Sequence, residues 1–292
     1  MKIYDLHVHT RPESDPKTMI GLMDEAGVYG AAVFSQAAAV GGRVGGAAYK
    51  ERLEGVLEFC KPYPERLFPV MWAHPYEDGA VEKAQEAASK GVVGFKIICN
   101  SFYVYEDKSM ELLKAIAGVN KPVCFHSGIL WGGGINSKYN RPVNWEDLID
   151  IPGLKFSMGH CSWPWYDECI ALYGKFQNAY LTKPNASEMF FDLTPGTPVP
   201  YRRDLITKLH TVGYDVKHNI LFGTDCNTNY RAKWAKDWMD IDNGLYNEIG
   251  VDEETRENIY KNNFLRFFGF IKENPAKIIL TSDGAGRGDK IQ

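Results

Sequence analysis

No window of this 292-residue chain approaches about 18 uninterrupted apolar residues, so no segment reads as a membrane span. A lysine- or arginine-rich block is equally absent: 33 basic residues face 37 acidic ones, for a formal net charge of −4. That balance argues against a surface built to follow a phosphate backbone, and nucleic acid is not an expected partner. Long polar and low-complexity tracts are missing too, which with 45% hydrophobic and 24% charged residues excludes a disordered chain and predicts a sizeable core. The six cysteines, Cys60, Cys99, Cys124, Cys161, Cys169 and Cys226, form no C-x-x-C pair. Scattered in this way they read as reduced thiols, most of them small core residues, and not as a disulfide framework. The opening "MKIYDLHVHT" has no basic segment followed by an apolar stretch and a small-residue cleavage site, so the expected compartment is the cytoplasm. Nucleotide fingerprints are lacking as well, since no G-x-G-x-x-G follows the first apolar run and no P-loop occurs.

What the chain does contain is alternation. Eight apolar runs of strand length occur at "KIYDLHV", "YGAAVFSQ", "RLFPVMWAH", "GVVGFKIIC", "KPVCFHSG", "LKFSMGH", "NAYLT" and "NILFGTD". Segments of helical period lie between them, among them "PKTMIGLMDEAG", "YKERLEGVLEFCK" and "RDLITKLHTVG", several closing at glycine. Strands that are nearly continuous in apolar residues and alternate with helices predict a parallel sheet covered by helices. Eight such units match an α/β fold of the (β/α)8 or TIM-barrel type, for which about 250 residues is typical. With no linker-like stretch, residues 1–292 are expected to form a single domain. Two connections are longer than a barrel needs, "AAAVGGRVGGAAYKE" after strand 2 and "GILWGGGINSKYNRPVNWEDL" after strand 5. Loops that follow barrel strands build the active-site face, so these two are expected to form a lid or substrate wall.

The polar residues in the strands carry the chemistry. Asp5, His7 and His9 occupy every second position of the first run, and in an extended strand they share one face, which is costly unless something occupies it. His74, His126 and His160 close strands three, five and six, Lys96 sits in strand four and Asp225 ends strand eight. Five of the seven histidines thus fall at one mouth of the expected barrel. Neutral imidazoles with a carboxylate suit a divalent metal, with a position left open for water. A lone histidine at a strand end is more often a structural residue; the argument rests on "HVH", "HSG", "GHC" and "GTD" occurring together.

At this point the chain resembles the amidohydrolase superfamily, and within it the branch that holds aminocarboxymuconate semialdehyde decarboxylase and pyrone-dicarboxylate lactonase. The similarity runs almost end to end, through "DLHVHT", "YPERLFPVMWAHP", "GVVGFKI", "PVCFHSG", "PGLKFSMGHCSWPWYDE", "NILFGTDC" and "ENIYKNNFLRFFG". The resemblance implies His7, His9, His126 and Asp225 as metal ligands, with Asp225 also taking a proton from the activated water. It implies His160 as a polarising or acid/base group beside a single metal, or as a ligand of a second metal bridged by Lys96. One divalent ion is expected, zinc ahead of manganese, with a second metal the less favoured count.

Asp5 is expected to orient an imidazole or accept a hydrogen bond. Arg141 is the candidate anion clamp, and Tyr103 and Trp131 are candidate substrate-binding residues, all three in loops after strands four and five. The expected activity is metal-dependent hydrolysis of a small, acidic amide, ester or lactone. Non-oxidative decarboxylation on the same site is the alternative. The partner is a small-molecule substrate, with neither nucleic acid nor membrane, and a homodimer is compatible with such a barrel. The opening also resembles the polymerase-and-histidinol-phosphatase family, but "AAVFSQAAA" lacks the Asp-His pair that family carries after its second strand.

Overall fold

A computed structural model describes residues 1–40, 45–183 and 185–271. Nine short strands occur among them: β1 (Tyr4–His9), β2 (Gly30–Phe34), β3 (Leu67–Trp72), β4 (Gly94–Ile97), β5 (Val123–Phe125), β6 (Lys155–Met158), β7 (Glu188–Asp192), β8 (Ile220–Leu221) and β9 (Cys226–Asn227). All pair in parallel, in chain order from β1 to β8, and β9 pairs with β1 at Val8–Cys226 and His9–Asn227. Leu6 N also donates to Phe222 O at 2.9 Å. β8 and β9 are therefore two parts of one eighth strand, and their contacts with β1 close the sheet into the expected (β/α)8 barrel.

One expected strand is a helix. "NAYLT" forms the last turn of the helix Tyr166–Thr182, whose buried residues Tyr166, Cys169, Ile170, Tyr173, Phe176 and Tyr180 keep helical spacing to its end. The seventh strand is "EMFFD" instead, buried along its whole length. Of the two long connections, residues 41–44 of the first lie outside the described residues, as do residues 272–292 of the expected domain. The second holds short 3-10 turns at Ser137–Asn140 and Pro142–Asp150.

Strand alternation sorts the core into two layers. Leu6, Ala32, Val70, Cys124, Phe190 and Leu221 fill the bore. Val8, Val33, Phe95, Phe125, Phe156 and Phe191 face the surrounding helices. β1 interrupts this order, because its register with β2 shifts between Asp5 and Val8. Tyr4 and Leu6 belong to the bore whereas Val8 belongs to the outer layer, so a bulge separates the parity of Asp5 from that of His7 and His9. The expectation that the three share a face is corrected accordingly. Below the bore, the closing helix Asn263–Phe267 seals the barrel: Phe264 stacks on Tyr4 with ring centroids 4.9 Å apart, and Phe267 meets Phe190 edge-on. No helix among the described residues is long and apolar enough to cross a membrane. All six cysteines are buried and free of disulfides.

Candidate metal centre and active site

His7 and His9 converge with Asp225 at the upper mouth. The two Nε2 atoms lie 3.2 Å apart, and Asp225 Oδ1 stands 3.7 Å from His7 Nε2 and 3.4 Å from His9 Nε2. Ligands around one tetrahedral cation with bonds of about 2.1 Å stand about 3.4 Å from each other. The triangle therefore fits a divalent ion, and these three are the His/Asp group of suitable spacing among the described residues. Asp225 reaches its place from the break between β8 and β9 with φ 55°, a left-handed conformation that non-glycine residues adopt only when their surroundings impose it.

The structure also supplies a group that sequence reasoning missed. Asp192, the last residue of β7, is fully buried and its Oδ2 lies 2.9 Å from His7 Nδ1. A carboxylate only accepts, so the ring gives its Nδ1–H to Asp192 and turns the Nε2 lone pair toward the triangle. Thr194 N donates to the other oxygen at 2.8 Å, which fixes the carboxylate in turn. Gly223 makes this packing feasible, since a Cβ there would stand 2.1 Å from Thr194 Oγ1 and 3.0 Å from His7 Cβ. Asp5 has a different task. It accepts from the backbone of His7 at 2.9 Å and Thr224 at 3.0 Å, and from the hydroxyls of Thr224 at 2.5 Å and Tyr230 at 2.8 Å. It clamps the β1 bulge to the eighth strand and touches no imidazole. Burial pushes its pKa up to about 6 against those four hydrogen bonds.

Burial also governs the histidines. It drives the pKa of His7 well below the usual value, with Lys96 adding to the effect, and does the same to His126 with help from His160. His160 is lowered for the same reason, against the opposing pull of Asp225 and Asp192. Neutral rings with free lone pairs result, the form that ligates metals. For Asp225 burial opposes the charge, but the bond to His9 and the imidazoles of His7 and His160 outweigh it and hold the carboxyl below the ordinary range.

A cavity of about 220 Å³ opens over this centre, lined among others by His7, His9, Lys96, His126, His160 and Asp225. Lys96 is fully buried with Nζ 3.4 Å from His7 Nε2, and burial lowers its pKa despite the nearby carboxylates. The ring of His126 lies 5.0 Å from that of His160, while its Nε2 stands 3.2 Å from Ile129 O and outside the convergent triangle. His160 takes φ 58° and places Nδ1 3.2 Å from Pro195 O. Because a carbonyl only accepts, the neutral ring donates there and keeps Nε2 as an acceptor. Gly196 packs flat against it, where a Cβ would come within 2.6 Å of the His160 side chain.

The remaining candidates divide. Trp131 lines the cavity and stacks on Trp163, rings 14° from parallel, although 76% of it is exposed. Arg141 and Tyr103 are not brought into this lining. Arg141 Nε is 2.8 Å from Glu168 Oε2 and its guanidinium lies over Trp165, so its charge is already engaged at the surface. Tyr103 stacks on Tyr105 with ring centroids 5.0 Å apart. His74 accepts from Tyr76 N at 3.2 Å beneath Phe102, away from the cavity.

The match to the amidohydrolase family model extends over residues 4–270. The chain belongs to the amidohydrolase family. It is an enzyme of the hydrolase type that this superfamily represents, and the superfamily is generally metal-dependent. Solved structures agree on the fold. A candidate 2-pyrone-4,6-dicarboxylic acid hydrolase from Pseudomonas putida matches with TM-score 0.62 at 14% identity, over 93% of this chain and 99% of that one. Amidohydrolase 2 from Bifidobacterium longum subsp. infantis matches with TM-score 0.57 at 13% identity, over 93% and 100%. Dihydroorotase from Campylobacter jejuni also gives TM-score 0.57 at 13% identity, over 93% and 84%. No curated protein sequence matches significantly. At such identities these likenesses concern the fold of this amidohydrolase and leave its substrate open.

Proposed function

We propose that this amidohydrolase opens the amide, ester or lactone bond of a small acidic molecule, with one divalent cation held by His7, His9 and Asp225. The observation that carries the reading is the convergence of those three ligand atoms within 3.2–3.7 Å at the floor of a cavity. A cation held there supplies Lewis acidity, which acidifies water toward neutral pH and polarises a carbonyl. Zinc is the first expectation and manganese the second. His126, on the same cavity wall, is the fourth candidate ligand.

The chain's own groups then divide the remaining work. Asp225, held ionised, accepts the proton of the attacking water and returns it to the leaving group. Lys96 carries N–H donors into the cavity floor and is suited to stabilise developing negative charge on the carbonyl oxygen. Neutral His160 offers a lone pair, which favours a base or a ligand over an oxyanion donor. With Lys96 carboxylated on Nζ by carbon dioxide as a bridge, it is also the route to a second metal. Six buried thiols and no disulfide support a reducing compartment such as the cytoplasm.

The test is direct. Metal analysis of the purified protein, followed by zinc titration with thermal melting, should give one ion per chain and a raised Tm, since a ligand that binds only the native state stabilises it. Screening acidic esters, amides and lactones should then give turnover that His9→Ala abolishes. Release of carbon dioxide from aromatic acids without hydrolysis of any ester, amide or lactone would replace this reading with decarboxylation.

A further inference from the structure

The turn that carries His160 is wound left-handed. His160, Cys161 and Ser162 take φ 58°, 44° and 60° in succession, and none of them is glycine. In that conformation the Cβ of an L-residue crowds the following carbonyl oxygen, so three in a row persist only where the surroundings impose them. Imposed strain of this kind clusters at working sites, and here it carries an imidazole on the cavity wall.

Two buried hydroxyls supply the constraint. Ser127 Oγ lies 2.7 Å from Gly159 O and 2.8 Å from Ser162 Oγ. A carbonyl only accepts, so Ser127 gives its single hydrogen to Gly159 O, and Ser162 must donate to Ser127. Neither serine is more than 1% exposed, and their bridge clasps the turn on both sides of His160. Ser127 borders the cavity, yet its hydrogen is committed to this bridge. The backbone after β5 grips the turn as well: Ile129 N donates to Trp163 O at 2.9 Å, and a Cβ on Gly128 would stand 2.3 Å from that oxygen. Ser127 directly follows His126, whose ring lies 5.0 Å from that of His160, so one hydroxyl couples the placement of two cavity imidazoles.

Resting on the hydrolase reading above, we infer that Ser127 and Ser162 are positioning residues: their hydroxyl bridge holds the left-handed turn and thereby fixes the His160 ring for the chemical step. With the bridge intact, the ring keeps its Nδ1–H on Pro195 O and one tautomer persists. With the bridge cut, the strained turn relaxes and the ring loses that partner. The metal triangle stands on β1 and the eighth strand, outside this bridge, so the loss falls on turnover and not on metal or substrate binding.

Nitrogen-15 spectra of the histidine rings in zinc-reconstituted protein read the turn without any substrate. Wild type should show His160 as one neutral tautomer, protonated on Nδ1. In Ser127→Ala and Ser162→Ala its two nitrogen shifts should move toward each other as tautomers exchange, with the His7 and His9 signals unchanged. On 4-acetoxybenzoate, an acidic ester, each variant should lose about 10–100-fold in kcat at full zinc stoichiometry, with KM within about twofold of wild type. The double variant should lose no more than either single one, because all three break the same bridge. Ser162→Gly separates positioning from folding: glycine adopts the left-handed conformation without a Cβ, so Tm should be held while the loss in kcat remains. Unchanged His160 signals, additive losses in the double variant, or wild-type kcat in Ser162→Gly each overturns the inference and leaves the metal site standing. Failure of the zinc-loaded wild type to hydrolyse this or any other acidic ester, amide or lactone overturns the hydrolase reading instead, and the ring spectra alone then decide whether the bridge holds His160.

Discussion

The two ends of the barrel carry buried charge in opposite ways. At the lower end Glu188 and Arg266 pair at 2.6 Å, Asn219 Nδ2 donates to Glu188 at 2.8 Å, and Lys155 donates to the Arg266 carbonyl at 2.7 Å. Each charged group there has a partner, and an aromatic lid of Tyr4, Phe264 and Phe268 closes over them. At the upper end four imidazoles, Lys96 and Asp225 crowd the cavity floor, and the Nε2 atoms of His7 and His9 stand 3.2 Å apart. Opposite charges paired with one another hold the fold together, whereas a cluster with surplus lone pairs stores affinity for something outside the chain. On the proposed function, the lower end is the structural one and the upper end the chemical one.

Substitutions at the two ends should separate stability from activity. His9→Ala should give the largest effect, a loss of at least about 10³-fold in kcat/KM, because Lewis-acid stabilisation is worth several kcal/mol. The Tm of the metal-free variant should stay near that of metal-free wild type, and its zinc-dependent rise should vanish. A comparable loss of metal-free Tm would erase the distinction between the ends. Arg266→Met should do the reverse: with Glu188 left buried and unpaired it should cost about 3–5 kcal/mol, read as a Tm fall of roughly 10 °C. Turnover per folded molecule should be preserved. Asp192→Asn sharpens the comparison from within the upper end. It should weaken zinc about 10–100-fold by loosening His7, with little change in metal-free Tm.

Much of the upper end was legible because polar residues at the ends of apolar strands have few reasons to be there. His7, His9 and Asp225 were found in this way, and each occupies the cavity floor. Asp192 obeys the same rule, closing "EMFFD", but "NAYLT" took the place of its strand: at short range a helix ending in Tyr180 and a buried strand are both simply apolar. The bulge in β1 left no mark in the residues themselves, because inserting one residue changes parity without changing composition. Arg141 misled for another reason. Which carboxylate a loop arginine meets depends on packing between distant segments, here residues 141 and 168, and no local pattern encodes that.

The smallest effect concerns how the lower end tolerates its second cation, Lys155. Burial lowers the pKa of Lys155 to about 8, against the attraction of Glu188 and with repulsion from Arg266 adding to the shift. An unfolded lysine titrates near about 10.4, so between those values the unfolded chain binds more protons than the folded one, and stability rises with pH. The contribution is complete above the unfolded value and is lost as pH falls toward about 8. Lys155→Met removes the titration, so wild type should gain about 1–2 kcal/mol relative to the variant between pH 8 and pH 10, after discounting for partial exposure. Parallel thermal melts at several pH values read this difference directly. A difference that is flat or falls with pH would mean that Lys155 titrates as in the unfolded chain, and that the lower end contains a solvated surface charge instead of a buried, partnered one.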